Sequence, residues 1–416
     1  MFQRPRGTRD FGPDETARRR RALEKMRETA LKFGFREIQM PTFEELELFT
    51  KKSGPGIVEE LYAFKDKGGR DIALRPEMTA QVMRFYVSDL SSLPKPLKLF
   101  YYGPCFRYEN PQSGRFREFF QFGAEIAGAN TPETDAEVIA LASAIISAVG
   151  LKGFTIRIGY IGVLRNMLEE LKLSGSEIAA ALHFLDKNDV EGFNVFASQK
   201  SISKETIERI LSIRNLKGDI EILDDLNDGA AKDYLKEMAM SLSLLGVGKF
   251  QIDLGIIRGL DYYAGMVFEI DAPSLGAEKQ ICGGGSYDLV PLFGGEQVFT
   301  TGFAIGFDRV LMAADNEGKV QVVDELDVYV IPVGDGAREK VLEIVEMLRK
   351  TGLSVDYDLM RRSLSKNLKY ASLAKAKRVI IAGEKELAKG AVTLRDMKSG
   401  DQKEIKLESL IKEMKK

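Results

Sequence analysis

Arg107, Glu109, Arg115, Phe119, Gln121 and Glu125 all fall at odd positions around the stretch FRYENPQSGRFREFFQFGAEI, which runs from Phe106 to Ile126. Successive side chains of a strand alternate faces, so on each arm of a hairpin turning at Asn110–Ser113 these residues line up on one side. The even residues Phe120, Phe122, Ala124 and Ile126, with Tyr102, Phe106 and Tyr108 on the first arm, are apolar or aromatic and form the packed side. Guanidinium forks match phosphate oxygens. A phenyl ring can stack on a base, and a glutamine and a glutamate among aromatics can hydrogen-bond a small polar ligand. These types together describe a nucleoside triphosphate site on an antiparallel sheet, not a Gly-rich loop at a helix N-terminus. A solvated sheet laced with salt bridges draws on the same residue types, so the hairpin by itself leaves both readings open.

Other segments repeat the pattern. ALRPEMTA holds Arg75, Glu77 and Thr79 in an apolar setting, and IIRGLDYYAGMVFE sets Arg258, Asp261, Tyr262 and Tyr263 beside two glycines. GFAIGFDRV places Arg309 just inside a helix start, from which its side chain can reach over a sheet. The chain has a single histidine, His183, in the polar helix-like ALHFLDKN, and two cysteines, Cys105 and Cys282. That inventory excludes a Ser-His-Asp triad, a histidine-ligated metal, a disulfide framework and a zinc site. No protein-bound metal site is expected. Chemistry falls to Arg, Lys, carboxylates, phenols or a metal carried by the substrate.

The elements that must position these residues read as follows. A chain of 416 residues, 44% hydrophobic, supports two or three domains. Its net charge of −2 confines any nucleic-acid contact to local basic patches. No apolar run is long enough to span a membrane, and the N-terminus is unlike a signal peptide, so the chain reads as soluble and cytoplasmic. A helix is expected from about Pro13 to Phe33, and REIQMPTFEELELF reads as a short strand broken at Pro41. A hairpin is expected around Asp66–Gly69, helices over AQVMRFYVSDL and Pro132–Val149, and a helical insertion with its own small core over 162–246. Strands resume at KFQIDLG and MVFEIDA, and QVFTTGFAIGFDRVLMAAD turns from strand to helix. Beyond Asp327 strands and helices alternate as in a parallel or mixed α/β domain. Between Leu359 and Gly383 there are seven Lys/Arg and no acid, a basic surface suited either to solubility or to a phosphate backbone.

In these residues the chain resembles the class II aminoacyl-tRNA synthetases, and within them the histidyl-tRNA synthetase family, over nearly its whole length. RPRGTRD, LRPEMTA, the 106–126 hairpin, RGLDYYAGMVFE, CGGGSYD and GFAIGFDR fall in family order, and the tail from Tyr357 resembles the family's anticodon-binding domain. The resemblance implies an α+β fold: a class II antiparallel-sheet catalytic domain over 1–325 with the 162–246 helical insertion, then an α/β anticodon-binding domain over 326–416. It implies ATP-dependent ligation of L-histidine to tRNA(His) through histidyl-adenylate, with Mg2+ arriving with ATP. It also implies a homodimer built through the Pro41 segment. By resemblance, Arg258 and Arg107 are catalytic. Arg107, Glu109, Arg115, Phe119 and Arg309 hold ATP, while Glu77, Thr79, Gln121, Glu125, Arg258, Tyr262, Tyr263 and Tyr287 hold histidine.

Asn110, Phe120 and Ser286 depart from the residues commonest in bacterial members and point toward an archaeal or eukaryote-like branch. Asn110 bears on how the acceptor stem is read, and Ser286 is expected to alter pocket detail. Alternative readings are a non-catalytic paralogue, such as a regulatory subunit of histidine biosynthesis, and a nucleic-acid-binding accessory protein. The intact RGLDYY arginine, the three arginines 107, 258 and 309, and the C-terminal domain all weigh against them.

Overall fold

A computed structural model of the chain describes residues 2–53, 55–109, 114–257, 263–318 and 325–414. Contacts divide the chain into two compact units, Met1–Phe11 with Arg19–Gln321 and Gly12–Arg18 with Val322–Lys416. Each is taken by itself below.

In chain order the first unit carries α1 (Pro13–Lys32, whose first turns are grouped with the other unit), β1 (Arg36–Glu37), β2 (Phe43–Glu45), α2 (Leu46–Ser53), β3 (Ala63–Lys65), β4 (Asp71–Leu74) and α3 (Thr79–Phe85). The long hairpin β5 (Leu97–Phe106) and β6 (Glu118–Ala127) follows, then α4 (Pro132–Val149) and β7 (Thr155–Tyr160). Helices α5 (Ile161–Glu170), α6 (Gly175–Asp186), α7 (Val190–Gln199) and α8 (Lys204–Arg214) lead through β8 (Lys217–Gly218) to α9 (Gly229–Leu244). The unit closes with β9 (Gln251–Asp253), β10 (Tyr263–Asp271), β11 (Gln280–Tyr287), β12 (Thr300–Gly306) and α10 (Phe307–Asn316).

Among the described residues nine strands form one sheet in the order β1-β5-β6-β12-β11-β10-β7-β9-β8, with β5, β6, β12, β11, β10 and β7 antiparallel throughout. The hairpin alternates as its sequence requires. Phe122, Ala124 and Ile126 are buried in a core shared with Phe268 and Ile270 of β10, Phe303 and Ile305 of β12, and the apolar face of α4. Helix α4 has both termini written in sequence: Thr131 caps it, Pro132 opens it, and Gly150 ends it at φ 113°. Strand β11 is a product of its neighbours. Its Gly283–Gly285 run is a poor strand former, and pairing with β10 on one side and β12 on the other holds it extended.

Three expectations need correction. The Pro41 segment is not one interrupted strand: β1 joins the edge of the large sheet, β2 joins a separate three-stranded sheet β2-β4-β3, and helix follows from Leu46. Pro41 removes an amide donor where the chain passes between the two sheets. The 162–246 segment is helical but keeps no core to itself. Ile178, Leu182, Phe193 and Ile210 pack in the cluster that contains Tyr101, Tyr263 and Tyr287, while Leu235, Met238 and Leu242 of α9 belong to the cluster behind the sheet. Helix α5 packs on β10, α6 and α8 pack on α5, α7 packs on α6, and α9 packs on α4, so these short amphipathic helices extend the apolar layers on either side of the sheet. Third, Ser286 lies on the back of β11. Its hydroxyl donates to the buried Asp135 of α4 at 2.7 Å, while its neighbour Tyr287 faces forward. The Ser286 departure therefore alters the layer behind the sheet.

The second unit contains β13 (Leu326–Val333), α11 (Arg338–Arg349), β14 (Val355–Tyr357), α12 (Leu364–Leu373), β15 (Ala376–Gly383), α13 (Glu384–Leu387), β16 (Ala391–Asp396), β17 (Gln402–Lys406) and α14 (Leu407–Met414). Its five described strands order as β14-β13-β15-β16-β17, parallel across the first three and antiparallel across the last two. Val328, Val330, Ile380 and Val392 meet α11 and α14 on one face, and Tyr329, Ile331 and Val379 meet α12 on the other. This is the mixed α/β layer arrangement expected from alternating elements.

Candidate active site

The forward face of the large sheet forms the floor of a cavity of about 910 Å3. Glu77, Thr79, Arg107, Glu109, Arg115, Phe119, Gln121, Glu125, Tyr263, Tyr287 and Arg309 all line it. These residues come from six separate stretches of chain. Arg258, Asp261, Tyr262 and the 110–113 turn lie outside the described residues.

One end of the cavity is built around Glu125, 2% exposed. The Tyr101 phenol donates to its Oε1 at 2.8 Å, the Thr79 hydroxyl to the same oxygen at 3.3 Å, and the Tyr287 phenol to Oε2 at 2.5 Å. Glycines make this possible. A Cβ on Gly302 would sit 1.5 Å from Glu125 Oε2, and one on Gly123 would sit 2.4 Å from the Tyr101 ring. Burial pushes the Glu125 carboxyl up to about 8, although the Tyr287 and Tyr101 hydrogen bonds and the Lys52 charge pull the other way. Burial and the adjacent Glu125 hold the Tyr101 phenol well above its usual range, so it stays a donor. Tyr263 pairs with Tyr287 across β10 and β11, and their rings meet edge to face 6.3 Å apart.

Glu77 sits just before α3 and accepts the backbone N–H groups of Thr79 at 2.7 Å and Ala80 at 3.2 Å. Lys52, whose side chain is 3% exposed, stands 2.9 Å from Glu77 Oε2. Burial would raise the Glu77 carboxyl, but the Lys52 charge and these hydrogen bonds outweigh it and hold it below the ordinary carboxylate value. Two neighbouring glutamates thus differ: Glu77 is a stable anion and Glu125 keeps its proton near neutrality. Gln121 accepts a hydrogen bond from the Cys105 thiol at 3.3 Å, and burial pushes that thiol up to about 12, so it remains neutral.

The other end is cationic. Arg107 donates from Nε to the Pro76 carbonyl at 3.0 Å, with its guanidinium 5.3 Å from the Phe119 ring. Arg115 and Arg309 converge on Glu278 at 3.2 and 2.9 Å, and Glu109 lies 3.7 Å from both Arg107 and Arg115. Arg309 also donates to the carbonyls of Gly114 and Gln280. A ring of three guanidinium groups around one half-buried phenyl ring can hold a polyphosphate beside a base. Among the described residues no cluster of three His, Cys, Asp or Glu side chains could hold a metal ion.

Arg75 does not reach the cavity. It donates to the carbonyls of Pro104, Met40 and Pro41 and ties the Pro41 segment to β5. Sequence reasoning missed Tyr101, Lys52 and Glu278. Tyr101 was within reach, because parity puts it on the Cys105–Arg107 face of β5. Lys52 and Glu278 come from segments with no local chemical signal, and only the fold brings them here.

An antiparallel sheet that carries clustered arginines, an aromatic ring and a buried carboxylate pocket on one face, followed by a mixed α/β domain, defines a class II aminoacyl-tRNA synthetase. A family model described as histidyl-tRNA synthetase matches residues 7–310, and one described as anticodon binding domain matches residues 327–416. The chain belongs to the histidyl-tRNA synthetase family. It is similar to the histidine–tRNA ligase of Methanocaldococcus jannaschii, with 46% identity over 99% of both chains. To that of Archaeoglobus fulgidus it is 44% identical over 96% of both. Apo S. aureus histidyl-tRNA synthetase shares the fold at a TM-score of 0.79 with 31% identity over 100% of both chains.

Proposed function

We infer that this protein is a histidine–tRNA ligase, joining L-histidine to tRNA(His) at the expense of ATP through a histidyl-adenylate. The observation that carries this reading is one continuous cavity with a buried Glu125–Tyr101–Tyr287 end and an Arg107–Phe119–Arg309 end. Full-length similarity to histidine–tRNA ligases, C-terminal domain included, sets aside the non-catalytic paralogue and the accessory protein.

At the buried end, the imidazole of histidine lies between Glu125 and Tyr263, with Tyr287 closing the pocket. Each ring nitrogen then has a polar partner, and an isostere without those nitrogens leaves buried groups unpaired. The α-ammonium group faces Glu77, Thr79 and Gln121, where Glu77 is already a stable anion. ATP takes the cationic end: adenine on Phe119 with its amino group on Glu109, α-phosphate on Arg107, β- and γ-phosphates on Arg115 and Arg309. Glu278 would yield those two arginines to the phosphates. Magnesium enters as part of the MgATP substrate, and Glu109 and Glu278 are the carboxylates nearest that end.

In the first step a carboxylate oxygen of histidine forms a bond to the α-phosphorus. The bond from that phosphorus to the bridging oxygen breaks, and pyrophosphate leaves. Two anions are brought together, so the site must neutralise charge; Arg107 does so from this face, and the resemblance assigns Arg258 the same task. A guanidinium remains protonated and acts by electrostatics and orientation. In the second step a terminal ribose hydroxyl of the tRNA attacks the acyl carbon and AMP leaves.

We assign 1–325 to catalysis, including the helical 162–246 segment, and 326–416 to the anticodon. A cytoplasmic homodimer completes the reading. In the β2-β4-β3 sheet, Phe43 pairs with Leu74 and Phe64 with Ile72, which puts four apolar side chains on one face. Phe43 is 55% and Phe64 49% exposed in the single chain. Light scattering after gel filtration tests the dimer, and ATP–pyrophosphate exchange across the twenty amino acids tests the activity. Exchange with another amino acid and none with histidine would overturn it.

A further inference from the structure

Asp308 stands in the first turn of α10, immediately before Arg309, and is 4% exposed. It does not cap its own helix. Its Oδ2 accepts the backbone N–H of Phe120 at 2.8 Å. The last residue pair between β12 and β6 is Gly306 with Gln121, so the carboxylate takes the next amide of β6 just where β12 turns into helix. Its Oδ1 lies 2.7 Å from Arg9 Nη2 and 2.7 Å from Arg19 Nη1. The Arg9 guanidinium stacks 3.4 Å from the centroid of Phe116, and that of Arg19 lies 4.1 Å from Phe11 and 4.9 Å from Phe120 and from Phe307. Nε of Arg9 is buried without a hydrogen-bond partner, so the Phe116 ring and the Asp308 carboxylate are central to holding that cation, whereas Arg19 is held by the Tyr102 phenol as well.

Arg19 comes from α1, whereas Arg9 comes from the N-terminal loop. That loop is docked on the hairpin: the Gly7 carbonyl accepts the Arg117 N–H at 2.9 Å, and a Cβ on Gly7 would strike Arg117 at 2.7 Å. The peptide pinned by Asp308 joins Phe119 to Phe120, and the residue after Asp308 is Arg309. One carboxylate therefore sets the spacing between the ring proposed for adenine and the guanidinium proposed for the triphosphate. A buried aspartate without its cations would repel a polyphosphate or capture Arg309 itself.

We propose that Arg9 is a positioning residue for the ATP end of the cavity: sharing Asp308 Oδ1 with Arg19, it ties that carboxylate to the docked N-terminal loop and so holds Phe119 and Arg309 in register for the nucleotide. Arg9 does not touch the substrate; it acts through Asp308. The inference rests on the assignment of ATP to the Phe119–Arg309 end.

The test is ATP–pyrophosphate exchange by the full-length protein, with ATP and histidine varied in turn. Arg9→Met is expected to raise the KM for ATP about tenfold while the KM for histidine moves less than about twofold. Arg9→Lys, which keeps the charge without the stacked plane, recovers most of the loss. Should the methionine variant fail to fold, the lysine variant carries the test, with the KM for ATP raised about threefold and that for histidine unmoved. Equal increases in both KM values would show that the loop only supports the fold, and would overturn the proposal. So would an unchanged KM for ATP in Arg9→Met alongside a raised one in Arg309→Gln. If Arg309→Gln itself leaves the KM for ATP unchanged, the ATP assignment fails first and takes the proposal with it.

Discussion

Replacing Glu125 with glutamine is expected to weaken histidine binding and, at alkaline pH, to stabilise the protein. Burial moves this carboxyl from 4.5 to about 8. That shift corresponds to roughly 5 kcal/mol against the ionised form in the folded state. Between those two pH values the folded chain binds a proton that the unfolded chain has released. Glu125's contribution to stability is therefore fully present below 4.5 and is lost as pH rises toward 8. Glutamine has nearly the same shape, keeps an oxygen for the phenols and does not titrate. The difference in unfolding free energy between Glu125→Gln and the parent should thus be near zero or slightly negative at pH 5. It should then rise by about 2–3 kcal/mol by pH 8.5, less than the full shift because water entry and relaxation relieve part of the burial. Urea unfolding of both proteins at several pH values measures it, and taking the difference cancels the other titrating groups. The same substitution removes the acidic partner proposed for the imidazole and should raise the KM for histidine roughly 10- to 100-fold, with the KM for ATP nearly unchanged. A stability difference that does not change with pH would refute the buried, protonated glutamate. Equal rises in both KM values would refute its contact with histidine.

The cavity supports two further expectations, and the family resemblance a third. Phe119→Ala should weaken ATP binding by about 1–3 kcal/mol, as loss of a stacking platform does, and leave histidine binding near normal; calorimetry with each ligand separates the two. Gly302→Ala puts a methyl group 1.5 Å from Glu125 Oε2, so it should abolish histidine activation and destabilise the fold by about 1–3 kcal/mol, read from exchange kinetics and a melting curve. Arg258→Ala should leave ATP binding largely intact and remove most pyrophosphate exchange; near-normal exchange would sink the role the resemblance gives it.

Much of the site could be read from local pattern, because a strand's period of two is a property of the chain. Once Phe122, Ala124 and Ile126 pack inward, Phe119, Gln121 and Glu125 must face the other way. Capping signals at Thr131, Pro132 and Gly150 likewise delimit α4 without help from the rest of the molecule. The motifs also carried the family, because their residue types and order survive without coordinates.

Partnership across distant segments was not legible. No local pattern says that Lys52 will meet Glu77, that Glu278 will gather Arg115 and Arg309, or that Arg9 and Arg19 will share Asp308. Nor does the GGG of β11 announce a strand, or Ser286 its place behind the sheet. The protonation states follow the same division. Glu77 and Glu125 are the same residue type in one cavity, the first partly and the second almost wholly buried. One keeps its charge because Lys52 and two helix amides surround it, and the other keeps a proton because burial, helped by the neighbouring Glu77 anion, outweighs the phenols that favour its charged form. Sequence determined which side chains could share a face. Tertiary structure decided which charges could persist there, since the cost of a buried charge depends on every group that closes around it.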